Sequence, residues 1–316
     1  MTMRLLLAMA GLALAAAARA GEDAASYRWK HEEGKALTLL REDETLWALH
    51  YARDAGKPYF HPLCLADGMA LTWLRPPDHI WHRALWFSWK FINKLNYWEE
   101  NKEGLSPGRN RVVDATIETG PQGSAAIVLR IHYHPPGKPP VLEERRHIAV
   151  SPPDAAGPYR MDWRMTFTAR DQDVTLDRTP PKKHGGPAWG GYGGLSYRAA
   201  KAMSAFQVLN SRGQRDMAGH GQTARWMDFS GVLGPDDGRA GGVAMLDHPS
   251  NPRHPSPWFI VMRGHFGYFG PAFLFEEPYV LEAGESLTLR YRVLVHPGRP
   301  DRELLEAEYR DFAASK

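Results

Sequence analysis

Residues 159–168 read YRMDWRMTFT. Tyr159, Met161, Trp163, Met165 and Phe167 alternate with Arg160, Asp162, Arg164, Thr166 and Thr168. A β-strand turns successive side chains to opposite faces. This spacing therefore predicts one face on an apolar core and the other toward water or a cavity. The same period recurs on either side. Upstream, Ala125, Ile127, Leu129, Ile131 and Tyr133 alternate with more polar neighbours. Downstream, Leu287, Leu289, Tyr291, Val293 and Val295 alternate with Thr288, Arg290 and Arg292. Residues 37–40 and 46–51 are apolar runs about the charged turn Arg41-Glu42-Asp43-Glu44, which reads as a hairpin.

Residues 141–150 follow the period with a difference. One face carries Leu142, Glu144, Arg146, Ile148 and Val150. Charge in the middle of an apolar face is costly unless paired. The expectation is a salt-bridged cavity lining or a face open to solvent. Shorter strands are expected over 223–229 and 243–247. Only the C-terminus reads as a helix, capped by Asp301, with Leu304, Leu305, Glu308, Tyr309 and Phe312 on one side. The pattern predicts an all-β, mainly antiparallel fold, a large sandwich with a short C-terminal helix packed on the outside of a sheet.

The N-terminus reads differently. Arg4 precedes an apolar run over 5–18, and Ala18-Arg19-Ala20 precedes Gly21. That is the pattern of a signal peptide over 1–20, and the run is too short to span a bilayer. The mature chain, 21–316, is then a single periplasmic or secreted domain with no transmembrane anchor. Loss of Arg4 and Arg19 takes the net charge from +3 to +1. Such a balance gives no reason to expect nucleic acid as a partner. Cys64, the one cysteine, sits between Leu63 and Leu65 and reads as packing.

Residues 57–100 carry the chemistry. They hold His61, His79 and His82 of fourteen histidines, and Trp73, Trp81, Trp86, Trp89 and Trp98 of eleven tryptophans. Arg75, Arg83, Asn93, Asn96, Glu99 and Glu100 lie among them. Aromatic faces that give shape, with a few polar groups that fix orientation, describe a pocket wall. Sugars are held in that way. Two loops share the composition. Residues 180–194 form a Gly/Pro loop containing Trp189 and Tyr192, a candidate lid. Its glycines do not open a helix, which excludes a phosphate-binding reading. Residues 248–258 carry His248, Asn251, Arg253 and Trp258 among four prolines.

No GxSxG motif is present. His79-x-x-His82, with His61 or His248 as a third ligand, is a possible site for a divalent metal. The favoured expectation is metal-free acid–base work without a cofactor. His79 and His82 would give or take protons, with Glu144 or Glu276 as the carboxylate partner; Glu99 and Asp228 are also candidates. His61, Arg83, Trp89, Asn93, Tyr192, His248, Asn251, Arg253 and Trp258 are candidate substrate-binding residues. The first segment and the 248–253 loop are expected to meet at one aromatic cavity.

The runs PYFHPL, PPDHIWHRALWFSWKFIN, NYWEE, YGGLSYR, DFSG, DHPSNPRHPSPW and LEAGESLTLRYRVLVHPG together resemble the PmoA-like family of unknown function. The resemblance covers nearly all of the mature chain. It implies a carbohydrate or glycoside substrate and a sandwich of the galactose-mutarotase type. Members often read Asp-His-x-His-His-Arg-Gly where this chain has Asp78-His79-Ile80-Trp81-His82-Arg83-Ala84. Trp81 thus replaces a His and Ala84 a Gly. The resulting expectation is a carbohydrate-active enzyme (glycoside hydrolase, lyase or sugar epimerase), with a non-catalytic sugar binder or a His-ligated metal hydrolase as alternatives.

Overall fold

The computed structural model describes residues 26–154, 157–234 and 238–315. The signal-peptide segment 1–20 and its cleavage site lie outside the described residues. Two eight-stranded sheets make up most of the molecule. The first contains β1 (Tyr27–Glu32), β2 (Ala36–Arg41), β3 (Glu44–His50), β4 (Tyr59–Leu63), β5 (Leu85–Ser88), β13 (Gly194–Arg198), β18 (Phe266–Pro271) and β17 (Trp258–Arg263), in that spatial order. The second contains β14 (Ser204–Asn210), β15 (Trp226–Val232), β16 (Ala240–Asp247), β20 (Ser286–Pro297), β11 (Tyr159–Ala169), β10 (Leu142–Val150), β9 (Ala125–His134) and β8 (Arg109–Thr119). A small third sheet joins β19 (Tyr279–Leu281), β12 (Val174–Asp177), β6 (Phe91–Ile92) and β7 (Leu95–Asn96). The strand pairs in these sheets run antiparallel.

The alternating faces meet between the two large sheets. Tyr159, Met161, Trp163, Met165 and Phe167 of β11 are all buried there. Phe60 of β4 meets Trp163 edge-on at 5.6 Å, and Phe87 of β5 stacks on Phe167 at 5.2 Å. Contacts of this kind from both inner faces define a β-sandwich. β20 departs from simple alternation, because its second half is buried on both faces. The cause is helix α1 (Arg302–Ala314). Its Leu305, Tyr309 and Phe312 cover Trp226, Leu246 and Leu294 on the outer face of the second sheet. Asp301 caps it by accepting from the Leu304 backbone N–H, while Leu304 itself is exposed. Arg292, on the same outer face, is paired under α1 with Asp162 and Asp311.

The charged face of β10 is neither of the two arrangements its sequence suggests. Glu144 and Arg146 point into the sandwich core and are fully buried. Arg146 donates to Glu144 from Nε and NH2 at 2.6 and 2.9 Å, and the Tyr133 hydroxyl donates to Glu144 at 2.5 Å. The guanidinium lies against the Phe87 and Trp163 rings. Every strong acceptor of the carboxylate is thus engaged inside the core, and Glu144 has no route to a substrate. Cys64 is buried, and burial pushes its thiol up to about 12, in keeping with a packing role.

Candidate active site

The outer face of the first sheet carries a cavity of about 420 Å³. Its floor is the β17–β18 hairpin. Phe259, Val261 and Arg263 of β17 and Phe266 and Tyr268 of β18 point outward, while Trp258, Ile260 and Phe269 point into the core. One wall is the segment over 79–82. Its chain is wound by two successive turns, His79 N–H to Pro76 O and His82 N–H to His79 O, each 2.9 Å. The turns place the two imidazoles side by side, with ring centroids 4.7 Å apart. Trp81, Trp98 and Glu99 complete that side, and Tyr192 of the 180–194 loop packs on Trp98 with Trp189 beside it.

The loop is seated by a glycine. Gly191 has φ +105°, and a Cβ there would lie 2.5 Å from the Phe275 ring. Only glycine gives both that conformation and that approach. Trp189 remains 57% exposed at the cavity mouth.

The electrostatics follow from burial. His82 is sealed between Trp86, Phe266 and Tyr268. Desolvation holds its imidazole well below the ordinary range, and neighbouring His79, Arg198 and Lys57 push the same way. His79 is also lowered, chiefly by burial; Asp78 and Glu99 oppose the shift. Both rings are therefore neutral near pH 7. Asp78 Oδ2 stands 3.4 Å from His79 Nδ1 and accepts from Arg198 NH2 at 2.8 Å. Arg198 is itself held flat on the Phe266 ring, 3.8 Å from its centroid. Arg198 thus fixes Asp78 beside His79 Nδ1, which is buried and makes no hydrogen bond among the described residues, so Asp78 acts on the His79 ring through its charge.

Glu99 lines the cavity next to Trp98. It accepts from Lys90 Nζ, from Asn96 Nδ2 at 2.6 Å and from the Tyr192 hydroxyl at 3.0 Å. Burial would raise its carboxyl, but these donors outweigh burial and hold it below the usual range. Asn96 also accepts from the Trp98 and Glu99 backbone N–H groups, which sets the turn carrying both residues.

Several residues expected at the site are elsewhere. Arg83 turns away from the cavity and pairs with Glu100, from NH2 at 2.6 Å and Nε at 2.9 Å. Glu100 is nearly inaccessible and also pairs with Lys57 at 2.9 Å and Arg75 at 3.3 Å. Lys57 donates onward to the Trp81 and Trp98 carbonyls at 3.1 and 2.5 Å. Arg83 is thus part of a brace behind the wall. Asn93 shapes a turn against β12, through the Asp173 carbonyl and the Thr175 N–H. Trp89 and Trp258 are core residues; Trp258 donates to the Ala224 carbonyl at 2.8 Å. His61 is held at Thr72 Oγ1.

The 248–253 loop does not reach the cavity. His248 packs on Phe312 of α1, on the outer face of the other sheet. Asn251 bridges Asp247 and the Arg290 backbone. Arg253 donates to the Phe273, Glu277 and Pro278 carbonyls. Polar groups that looked available are consumed in tying loops together. Glu276 pairs with Lys183 and His184 at the base of the 180–194 loop, beside a separate and smaller depression. His79, His82, Glu99 and Tyr192 are therefore the sequence candidates that the structure brings together. Arg263, Lys90 and the hairpin aromatics are what the sequence reading missed.

Among the described residues no group of three or more His, Cys, Asp or Glu side chains is placed to hold a metal ion. Nor is any described helix long and apolar enough to cross a membrane. A protein family described only as a family of unknown function (DUF6807) matches residues 36–310. No curated protein matches the chain.

Proposed function

The chain belongs to this family of unknown function, and we propose that its cavity binds a sugar or glycoside and transfers protons on it, with His79 as the base. The carrying observation is the combination in one cavity of aromatic faces, a neutral His79 with the Asp78 carboxylate beside it, and an ionised Glu99. Trp81, Trp98 and Tyr192 offer flat faces for the CH surface of a pyranose. His79 takes a proton, and Asp78 and Glu99 stabilise the imidazolium that forms. The same imidazolium returns the proton to a second atom. His82, neutral and sealed on its far side, holds the position of the His79 ring.

One carboxylate, Glu99, lines the cavity among the described residues. Cleavage by the usual glycosidase route needs two flanking carboxylates. An epimerase, mutarotase or lyase step fits better, since each needs one base that can also serve as an acid. The likeness of the sequence to PmoA-like proteins and to galactose-mutarotase sandwiches belongs to this proposal, as do export to the periplasm or beyond and a metal-free reaction. Fold likeness alone does not fix an activity. The three donors on Glu99 favour one second reading, a binder that orients a sugar without changing it.

The deciding experiment incubates the purified chain in heavy water with a panel of sugars and glycosides, and follows products and deuterium uptake by NMR and mass. Turnover of at least one sugar is expected. His79→Ala should lower it by about 10²-fold or more, the usual scale for a general base, without loss of folding. With wild type, the rate should be flat above pH 6.5 and fall in acid, because His79 titrates below its ordinary value. Sugar binding with neither product nor deuterium exchange would establish the binder instead.

A further inference from the structure

The charges around the cavity do not balance. Glu99 is matched by Lys90, and Asp78 by Arg198. Arg263 reaches the cavity from the end of β17 and has no carboxylate or carbonyl partner among the described residues. Behind the Trp81 and Trp98 wall, three cations, Lys57, Arg75 and Arg83, share the single carboxylate of Glu100. Lys57, one of these three cations, holds the carbonyls of Trp81 and Trp98 and disfavours a proton on His82, so its charge is felt at the cavity wall. An apolar wall of indoles and phenyl rings screens such charges poorly, so the positive potential is felt by whatever occupies the cavity.

Resting on the sugar reading above, we propose that the ligand is an acidic sugar, a uronic acid or uronide bearing one carboxylate, and that Arg263 receives that carboxylate at the mouth. A guanidinium fork matches a carboxylate in two parallel hydrogen bonds. A neutral hexose would leave the exposed Arg263 guanidinium to water alone and make no use of the surplus behind the wall. A carboxylate on the exocyclic carbon also acidifies the adjacent ring C–H. That is the proton a neutral His79 is suited to remove, in an epimerisation at that carbon or in an elimination that expels the neighbouring ring substituent with its electron pair.

Calorimetric titration of methyl glucuronide, galacturonide and mannuronide, each beside its neutral methyl hexoside, tests the proposal. At least one uronide is expected to bind about tenfold tighter than its neutral counterpart, about 1.4 kcal/mol. The preference should shrink as salt is added. Arg263→Gln should bring that uronide down to the affinity of the neutral sugar. Arg263 is exposed, so an unchanged melting temperature is the check that the variant is folded. Neutral hexosides binding as tightly as uronides would overturn the acidic-sugar inference while leaving the sugar reading intact. A uronide preference that survives in Arg263→Gln would overturn the assignment of Arg263 as the group that receives the carboxylate. Binding of neither class would overturn both.

Discussion

His61 shows how a half-buried imidazole sets the acid limit of the protein. It accepts or donates at Thr72 Oγ1, 3.0 Å away, and burial with nearby His50 pulls it down to about 4. His82 is also held well below its ordinary value, chiefly by burial, with His79, Arg198 and Lys57 pushing the same way. An unfolded chain protonates both rings near pH 6.5, whereas the folded one does not. Between those limits the unfolded state binds more protons, so stability rises with pH through the window and is level above it. Denaturant midpoints should therefore hold steady above about pH 6.5 and fall progressively toward about pH 4. His61→Gln, which keeps a partner for Thr72 and removes the titration, should flatten part of that slope. An unchanged slope would show that His61 is not held neutral. The same physics separates His79 from other histidines that resemble it in sequence. His248 and His254 sit in equally polar, proline-bounded surroundings, but their rings are spent on Ser250 and Asp247.

At the level of elements, the cavity wall depends on a part that never touches the ligand. Glu100 gathers Lys57, Arg75 and Arg83, and Lys57 holds the carbonyls of both wall tryptophans. Removing one partner of a buried ion pair leaves uncompensated charge. Glu100→Ala would strand three cations and should cost about 3–5 kcal/mol in chemical denaturation. A cost within error of zero would mean that water reaches the cluster. The strands that frame this brace differ in how far their sequences disclosed them. β9, β11 and the first half of β20 bury one face, so alternation marks them plainly. β17 is covered on both faces, by the core under Trp258 and Ile260 and by the cavity over Phe259 and Val261. Alternation is erased there, and with it the signal for the cavity floor and for Arg263. Glu144 failed for a related reason. Its period-two position is correct, but the sequence does not say that Arg146 and Tyr133 neutralise it inside the core. The stretch over 57–100 disclosed a wall rich in indoles and histidines. It could not disclose which polar groups face the cavity, because the partners that tie Arg83 to Glu100 and Asn93 to Thr175 are supplied by the fold.

For the whole molecule, the two outer faces of the sandwich have separate tasks. The outer face of the first sheet holds the cavity. The outer face of the second is closed by α1, whose Leu305, Tyr309 and Phe312 seal an apolar patch with Trp226, Leu246 and Leu294. Between them lies a core crossed by aromatic pairs such as Phe60–Trp163 and Phe87–Phe167. A densely packed core resists gradual deformation. A defect under α1 should therefore lower stability without reshaping the cavity. Phe312 is the residue to use, since it packs on His248 and under the Arg292 guanidinium and lies far from any cavity-lining group. Phe312→Ala empties a buried aromatic site and should cost about 3 kcal/mol, at the low end for such a truncation because the helix edge can relax. Affinity for the sugar found in the panel should stay within about twofold at a temperature where the variant is folded, the range expected for sites that share no partners. A loss of affinity as large as that of a cavity variant would show that the two faces are coupled through the core.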